Sequence, residues 1–215
     1  MKIDILTLFP EMFTGPFSES MIKRAQQDSL VEITLHNIRD YATDKHSTVD
    51  DSPYGGGAGM VLMVEPIYNT LEKLKSQSSS LMSHTILLSP QGTKYTQDTA
   101  KSLVHYDHLI LIAGHYEGFD ERIREHLIDE EISIGDYVLT GGELPAMVLT
   151  DSIVRLIPGV LGDQDSLVGE THSQKGYKKH PVYTRPETFN SWSVPQVLLS
   201  GNHKTIEEWK KNNSR

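Results

Sequence analysis

The sequence predicts an α/β fold: a mostly parallel sheet with helices on both faces. Three observations carry this. Short β-prone runs alternate with helical stretches along most of the chain, the alternation opens as β-α-β, and the later strands each run into a glycine-bearing turn. Residues 2–9 and 31–36 are the opening strands, and 13–27, with Phe17, Met21, Ile22 and Ala25, is the helix between them. Residues 39–59 are polar and end in a glycine run, Gly55 to Gly59 with Ala58 inside it, so this loop is either mobile or organised by a ligand. Next come a short apolar run over 60–64, a helix after Glu65-Pro66, and a strand over 84–88. A helix over 97–104, a strand over 108–113, a helix over 119–127 and a strand-like 132–134 follow. A helix over 145–156 has Met147, Val148, Ile153 and Leu156 as candidates for its buried side. Residues 159–180 have no apolar period and read as a linker, 181–199 carry aromatic residues and prolines, and a last amphipathic helix over 203–211 turns Ile206 and Trp209 inward.

With 215 residues, the chain has room for one large domain and a tail module. It contains no cysteine, which excludes disulfides, thiolate zinc sites and thiol nucleophiles. Asp4 inside the first apolar run and Pro10 just after it do not fit a signal peptide, and no apolar stretch is long enough to span a membrane. A cytoplasmic protein is expected. The net charge of -9 argues against coating by nucleic acid through bulk electrostatics, yet residues 170–215 carry eight Lys and Arg against four acids. That local +4 leaves -13 on the rest, so an RNA contact is expected at the tail if anywhere.

Three glycine turns follow strands: Leu88-Ser89-Pro90-Gln91-Gly92, Gly114-His115-Tyr116-Glu117-Gly118, and the run from Ile134 to Glu143 containing Gly135, Gly141 and Gly142. In an open α/β sheet ligands bind outside the carboxyl ends of the strands, where glycine lets backbone approach the ligand, so three turns in succession predict one pocket. The chain has no Walker A motif and no G-x-G-x-x-G opening a helix, which argues against phosphate-cradling NTPases and Rossmann dehydrogenases. His105 and His108 form H-x-x-H without a third ligand nearby and read as ordinary surface histidines.

These turns, together with Asp50-Asp51-Ser52-Pro53-Tyr54 and its glycine run, Arg155 to Gly162, Tyr183-Thr184-Arg185-Pro186 and Val197 to His203, resemble the bacterial tRNA (guanine-N1)-methyltransferases over nearly the whole chain. The resemblance implies a SPOUT fold with a deep trefoil knot, an obligate homodimer and a small helical C-terminal domain. It divides the chain into a cofactor-binding domain over 1–160, a flexible linker or lid over 161–180, and a short tRNA-binding module over 181–215. S-adenosylmethionine is the implied cofactor. Its implied contacts are Leu88, Ser89, Pro90, Gln91, Gly92, Gly114, Tyr116, Glu117, Gly118, Ile134, Gly135, Tyr137, Leu139, Gly141, Gly142 and Pro145. Glu117 is also the candidate to bind Mg²⁺ or to order Tyr116. The implied partner is the tRNA anticodon stem-loop, with guanine 37 as target and Asp50, Tyr54, Arg185, Ser200, Asn202 and His203 as contacts.

Guanine N1 carries a proton that a base must remove, and negative charge then develops toward O6. The family's Asp-Ser-Phe, whose Asp is the proposed base, appears here as Glu170-Thr171-His172 in register from Gly162, whereas Asp165 lies five residues too early. Glu170 is therefore the candidate base, on a lid over 163–179. Arg155, at the matching family position, is the candidate to stabilise O6; as a helix-end Arg it has a competing reading, interaction with the last carbonyls. A second departure is length, since the family generally continues through more helices beyond Trp209, and less of the tRNA-gripping tail is expected. Two other readings stay open on the sequence: a non-catalytic homologue that binds cofactor and RNA, and a SPOUT methyltransferase with a different RNA target.

Overall fold

The computed structural model describes residues 1–78, 80–162 and 168–215; Ser79 and residues 163–167, Asp165 among them, lie outside the described residues. The chain divides into two compact units, Met1–Gly162 and Asp163–Arg215.

The first unit runs β1 (Lys2–Thr7), a 3-10 turn (Pro10–Phe13), α1 (Thr14–Phe17), α2 (Ser20–Gln27), β2 (Glu32–Asn37) and a second 3-10 turn (Ile38–Tyr41). It continues with β3 (Asp50–Asp51), β4 (Val61–Leu62), α3 (Val64–Gln77), β5 (Ser83–Lys94), α4 (Gln97–Leu103), β6 (His108–Ala113), α5 (Glu121–His126), β7 (Glu130–Ser133) and α6 (Glu143–Val154). The main sheet has the order β2-β1-β6-β5-β7, and every pairing in it is parallel. β6 sits at its centre with all six residues buried. Its alternate residues serve opposite faces. Leu109 and Leu111 join Ile3, Ile5, Ile86 and Leu88 under α1, α2, α4 and α6, while Ile110 and Ile112 join Leu6 and Leu87 under α3 and α5. Helices thus cover both faces, as the alternation predicts.

Two predicted elements differ from what forms. Residues 13–27 are not one helix, because the chain breaks between α1 and α2: Glu19 is extended and Ser20 takes a positive φ of 52°. Gln26 Nε2 donates to the Phe17 carbonyl (2.8 Å), filling a bond that a continuous helix would have made with backbone. The break turns Phe13 and Phe17 into the same core as Ile22 and Ala25. β5, read as 84–88, continues to Lys94 after a bulge: Leu88 and Thr93 both lie opposite Ile132 of β7, so residues 89–92 are looped out of the ladder.

From the amino ends of β5 and β6, across β1, to the carboxyl end of β2 runs a polar chain. Asp4 accepts from His108 Nε2 (2.7 Å) and His36 Nε2 (2.9 Å), and pairs with Lys2 Nζ (3.0 Å). His108 Nδ1 meets Ser83 Oγ and His36 Nδ1 meets Tyr41 Oη, each at 3.0 Å. Burial opposes charge on Asp4, but the hydrogen bonds from His108, His36 and Lys2 outweigh it and hold the carboxyl far below the usual carboxylate range. This corrects the surface reading of His108, which is fully buried and ties β6 to β1.

The second unit contains β8 (Thr188–Phe189) and β9 (Trp192–Ser193), a small antiparallel hairpin, followed by α7 (Gln196–Leu199) and α8 (His203–Asn213). Among its described residues none is fully buried; Ile206 and Trp209 are half-buried, with Trp209 against His180 and Tyr183.

Candidate active site

The carboxyl ends of β5, β6 and β7 open into a cleft of about 370 Å³, within the range that encloses a small-molecule ligand. Its wall is the β5 bulge, the loop after β6 and the loop from β7 to α6. Every residue expected to touch a cofactor lines it except Gly92.

Gly92 faces β7 instead. A Cβ there would lie 2.5 Å from Ile132 N and 2.6 Å from the Glu131 carbonyl carbon, with backbone that cannot yield. Glycine at this position lets the bulge close over β7, so that Ser89, Pro90 and Gln91 turn into the cleft. Gly142 makes a similar crossing. Its Cβ would meet Ala113 Cα and Gly114 N at 2.6 Å, and its N–H donates to Gly114 O (2.8 Å). These two glycines serve the approach of chain to chain, and through it shape the cleft.

Sequence reasoning missed several lining residues, among them His115, Glu121, Arg124 and Val138. Arg124 pairs with Glu121 and, at 3.0 Å, with Glu131. Burial opposes charge on Glu131, yet hydrogen bonds from Arg124 and Ser89 hold its carboxyl below the usual range. The signal available for Arg124 was its place in the last turn of a helix rich in acids, and that signal also describes ordinary surface pairs.

Glu117 reaches the cleft with its neighbour Tyr116 at a positive φ of 60°. The glycine-rich loop docks beside it: Glu117 N–H donates to Met60 O (3.0 Å), Leu62 N–H to Gly118 O (2.9 Å), and the Glu117 side chain lies against Gly59. The β3–β4 ladder closes the loop's base, with Asp50 opposite Leu62. The protein's own backbone thus organises this segment, and Tyr54 stands fully exposed on it. Among the described residues no group of three or more His, Asp or Glu is arranged to hold a metal ion.

Beneath the cleft lies Glu143, the first residue of α6 and only 1% exposed. Phe9 N–H donates to Thr7 Oγ1 (2.9 Å), which directs the Thr7 hydroxyl proton to Glu143 Oε1 (2.8 Å).

Arg155 is the half-buried C-cap of α6 and does not line the cleft. Glu170, in the second unit, is half-buried in a turn where its carbonyl accepts from Ser173 N–H (2.9 Å). Arg185 and His203 are exposed. Asn202 caps α8 by accepting from Lys204 and Thr205 N–H, and Ser200 Oγ donates to the Val197 carbonyl while accepting from Asn202 N–H. Both therefore have structural work within their own unit.

A parallel α/β unit with a small-molecule cleft at its strand ends, walled by a bulge crossing a neighbouring strand, belongs to the class of ligand-binding α/β enzyme domains. The family model described as tRNA (guanine-1)-methyltransferase TrmD matches residues 1–215. A protein of Dehalococcoides mccartyi named tRNA (guanine-N(1)-)-methyltransferase is 55% identical over 214 residues, covering 100% of this chain and 86% of the relative. Relatives of the same name from Bacillus cereus and Bacillus anthracis are 57% identical over 210 residues, 98% of this chain and 85% of theirs. The chain belongs to the tRNA (guanine-1)-methyltransferase family.

Proposed function

We propose that this protein transfers a methyl group from S-adenosylmethionine to N1 of guanine 37 in tRNA. The observation that carries the reading is a cleft walled by nearly every expected cofactor position, in a chain more than half identical to relatives named for this reaction. Those names do not favour a non-catalytic homologue or a different RNA target. The cleft suits such a ligand: Leu88, Ile134, Leu139 and Pro145 supply apolar wall, and the glycine crossings leave backbone groups at its edge. When bound, the cofactor supplies an electrophilic methyl group on a sulfonium.

The chain's own residues then have defined tasks. Glu170 takes the N1 proton as the N1–methyl bond forms, and Arg155 stabilises the charge that develops on O6. Exclusion of water around the base strengthens both interactions. Glu117 orders Tyr116 at the cleft or holds Mg²⁺. The anticodon loop offers an unpaired base, which is cheaper to extract than a stacked one. Asp50, Tyr54, Arg185, Ser200, Asn202 and His203 are its proposed contacts, the last three around the start of α8.

Three further features belong to this reading. The bulge of residues 89–92 around Ile132 supports a SPOUT arrangement with a deep trefoil knot. A homodimer is supported by α6, which is apolar on nearly all sides: Leu144 and Val148, one turn apart, stay exposed, as do Phe9, Met12 and Val138. The second unit serves as the tRNA-binding module, and the cytoplasm is the compartment where tRNA is modified.

Nucleoside mass spectrometry of unmodified tRNA incubated with protein and S-adenosylmethionine tests the activity; N1-methylguanosine at position 37 is the expected product. Glu170→Gln should slow single-turnover methylation by about a hundredfold or more, as loss of a general base does. Wild-type turnover in that variant would remove Glu170 from the mechanism.

A further inference from the structure

Two carboxylates of the first unit are almost fully buried, and they are satisfied very differently. Asp4 has two imidazoles and an ammonium. Glu143 has the Thr7 hydroxyl, the field of the α6 N-terminus, and, among the described residues, no cationic partner within 4 Å. A buried carboxylate without a cation is a costly group unless a charge is delivered to it.

The geometry indicates where that charge would come from. Gly141 lines the cleft, and a Cβ placed on it would run into Glu143 Oε2, so no side chain stands between that oxygen and the lining backbone. The same Cβ would lie 2.7 Å from Cδ2 of His115, a lining imidazole that turns a carbon edge toward this point. The acids on the lining are Glu117 and Glu121, and Glu121 is already paired with Arg124. Glu143 is therefore the buried anion behind the lining glycine Gly141, without a cationic partner among the described residues.

We propose that Glu143 is a specificity-determining residue whose buried charge favours a cationic sulfonium ligand over its neutral thioether counterpart. This rests on the cofactor reading above and deepens it. Methyl transfer removes the positive charge from sulfur, so the same carboxylate that holds the donor gives nothing extra to the spent product, and exchange of product for fresh donor is favoured. Glu143 touches neither substrate nor reacting atoms; it acts across Gly141.

Calorimetric titration of S-adenosylmethionine and of S-adenosylhomocysteine at pH 8, above the ordinary imidazole range, tests this. Glu143→Gln keeps an acceptor for Thr7 and removes the charge. It should weaken the sulfonium ligand on the order of tenfold, as expected for loss of a charge that acts through a medium of intermediate dielectric, and leave the thioether nearly unchanged. Thr7→Val keeps the charge and should weaken both ligands in parallel. Equal losses for both ligands in Glu143→Gln, or no loss in either, would overturn the proposal and leave Glu143 as a clamp between β1 and α6. If Glu143→Gln does not fold, the unaltered protein decides through salt. A preference for the sulfonium that survives from about 0.05 to about 0.5 M salt requires a buried charge; one that vanishes belongs to exposed Glu117 and overturns the assignment. Unaltered protein that binds neither ligand refutes the cofactor reading itself, a result distinct from binding without preference.

Discussion

Two polar regions of the main sheet handle buried polarity in opposite ways. In the one that runs from the amino ends of β5 and β6 across the middle of β1 to the carboxyl end of β2, the polar groups close on one another, from Ser83 through His108, Asp4 and His36 to Tyr41. At the cleft beyond β5, β6 and β7 the backbone is crossed and looped, and Glu143 holds one hydroxyl and, among the described residues, no cation. A polar network satisfied from within adds stability, whereas polar groups left facing a cleft are available to a ligand. One region fastens the strands; the other presents them.

Substitutions can break this contrast. The largest effect is expected at the cleft, where Gly92→Ala drives a Cβ into the backbone of Glu131 and Ile132. A loss of about 4 kcal/mol or more, near the total stability of many domains, should appear as loss of the cooperative urea transition and of ligand binding. A normal transition in this variant would mean that the bulge can shift away from β7.

Asp4→Asn comes next. It removes the charge that faces His108, His36 and Lys2, and should cost about 3 kcal/mol by urea unfolding at pH 7 while leaving donor affinity of the folded protein unchanged. The pH dependence carries a definite sign. Because the folded Asp4 carboxyl lies far below its ordinary value of about 3.9, its stabilisation is complete above that value and is lost as the pH falls below it toward the folded pKa. The stability gap between the two proteins should therefore be flat at neutral pH and narrow in acid. A gap that widens on acidification would reverse the role given to Asp4.

Gly59→Ala sharpens the comparison at the cleft. At φ +82° alanine is strained by about 1–2 kcal/mol, and its Cβ meets Glu117, so the carboxylate must move. Stability should fall modestly while methylation falls severalfold; loss of stability with full activity would show that the position of Glu117 is not critical. The smallest effect belongs to Asp136→Asn, which breaks the exposed 2.5 Å pair with Lys94. Thermal unfolding should shift by the equivalent of less than about 1 kcal/mol.

Much of this was legible in the sequence, and the legible part follows from periodicity. The central strand at His108 and the helix at Gln97 follow from the alternation of apolar runs along the chain. The cleft was legible because its wall consists of contiguous turns. The break at Ser20, the extension of β5 and the burial of His108 were not, because each is decided by partners remote in sequence: Phe17 for Gln26, Ile132 for the bulge, Asp4 for His108, a separation of 104 residues. Glu143 carried no local signal at all, since an acid in the first turn of a helix is ordinary dipole complement until its burial is known.

By itself, then, the sequence determined the alternation of strands and helices, the parallel sheet covered on both faces, the three turns that wall the cleft and, through resemblance, the family. Tertiary structure decided which glycines serve the chain and which face the cleft, which histidine is interior, and which buried carboxylate has no counter-ion among the described residues. The physical reason is range. Secondary structure answers to neighbours a few residues away, whereas burial and charge compensation depend on groups that only the folded chain brings within a few ångströms.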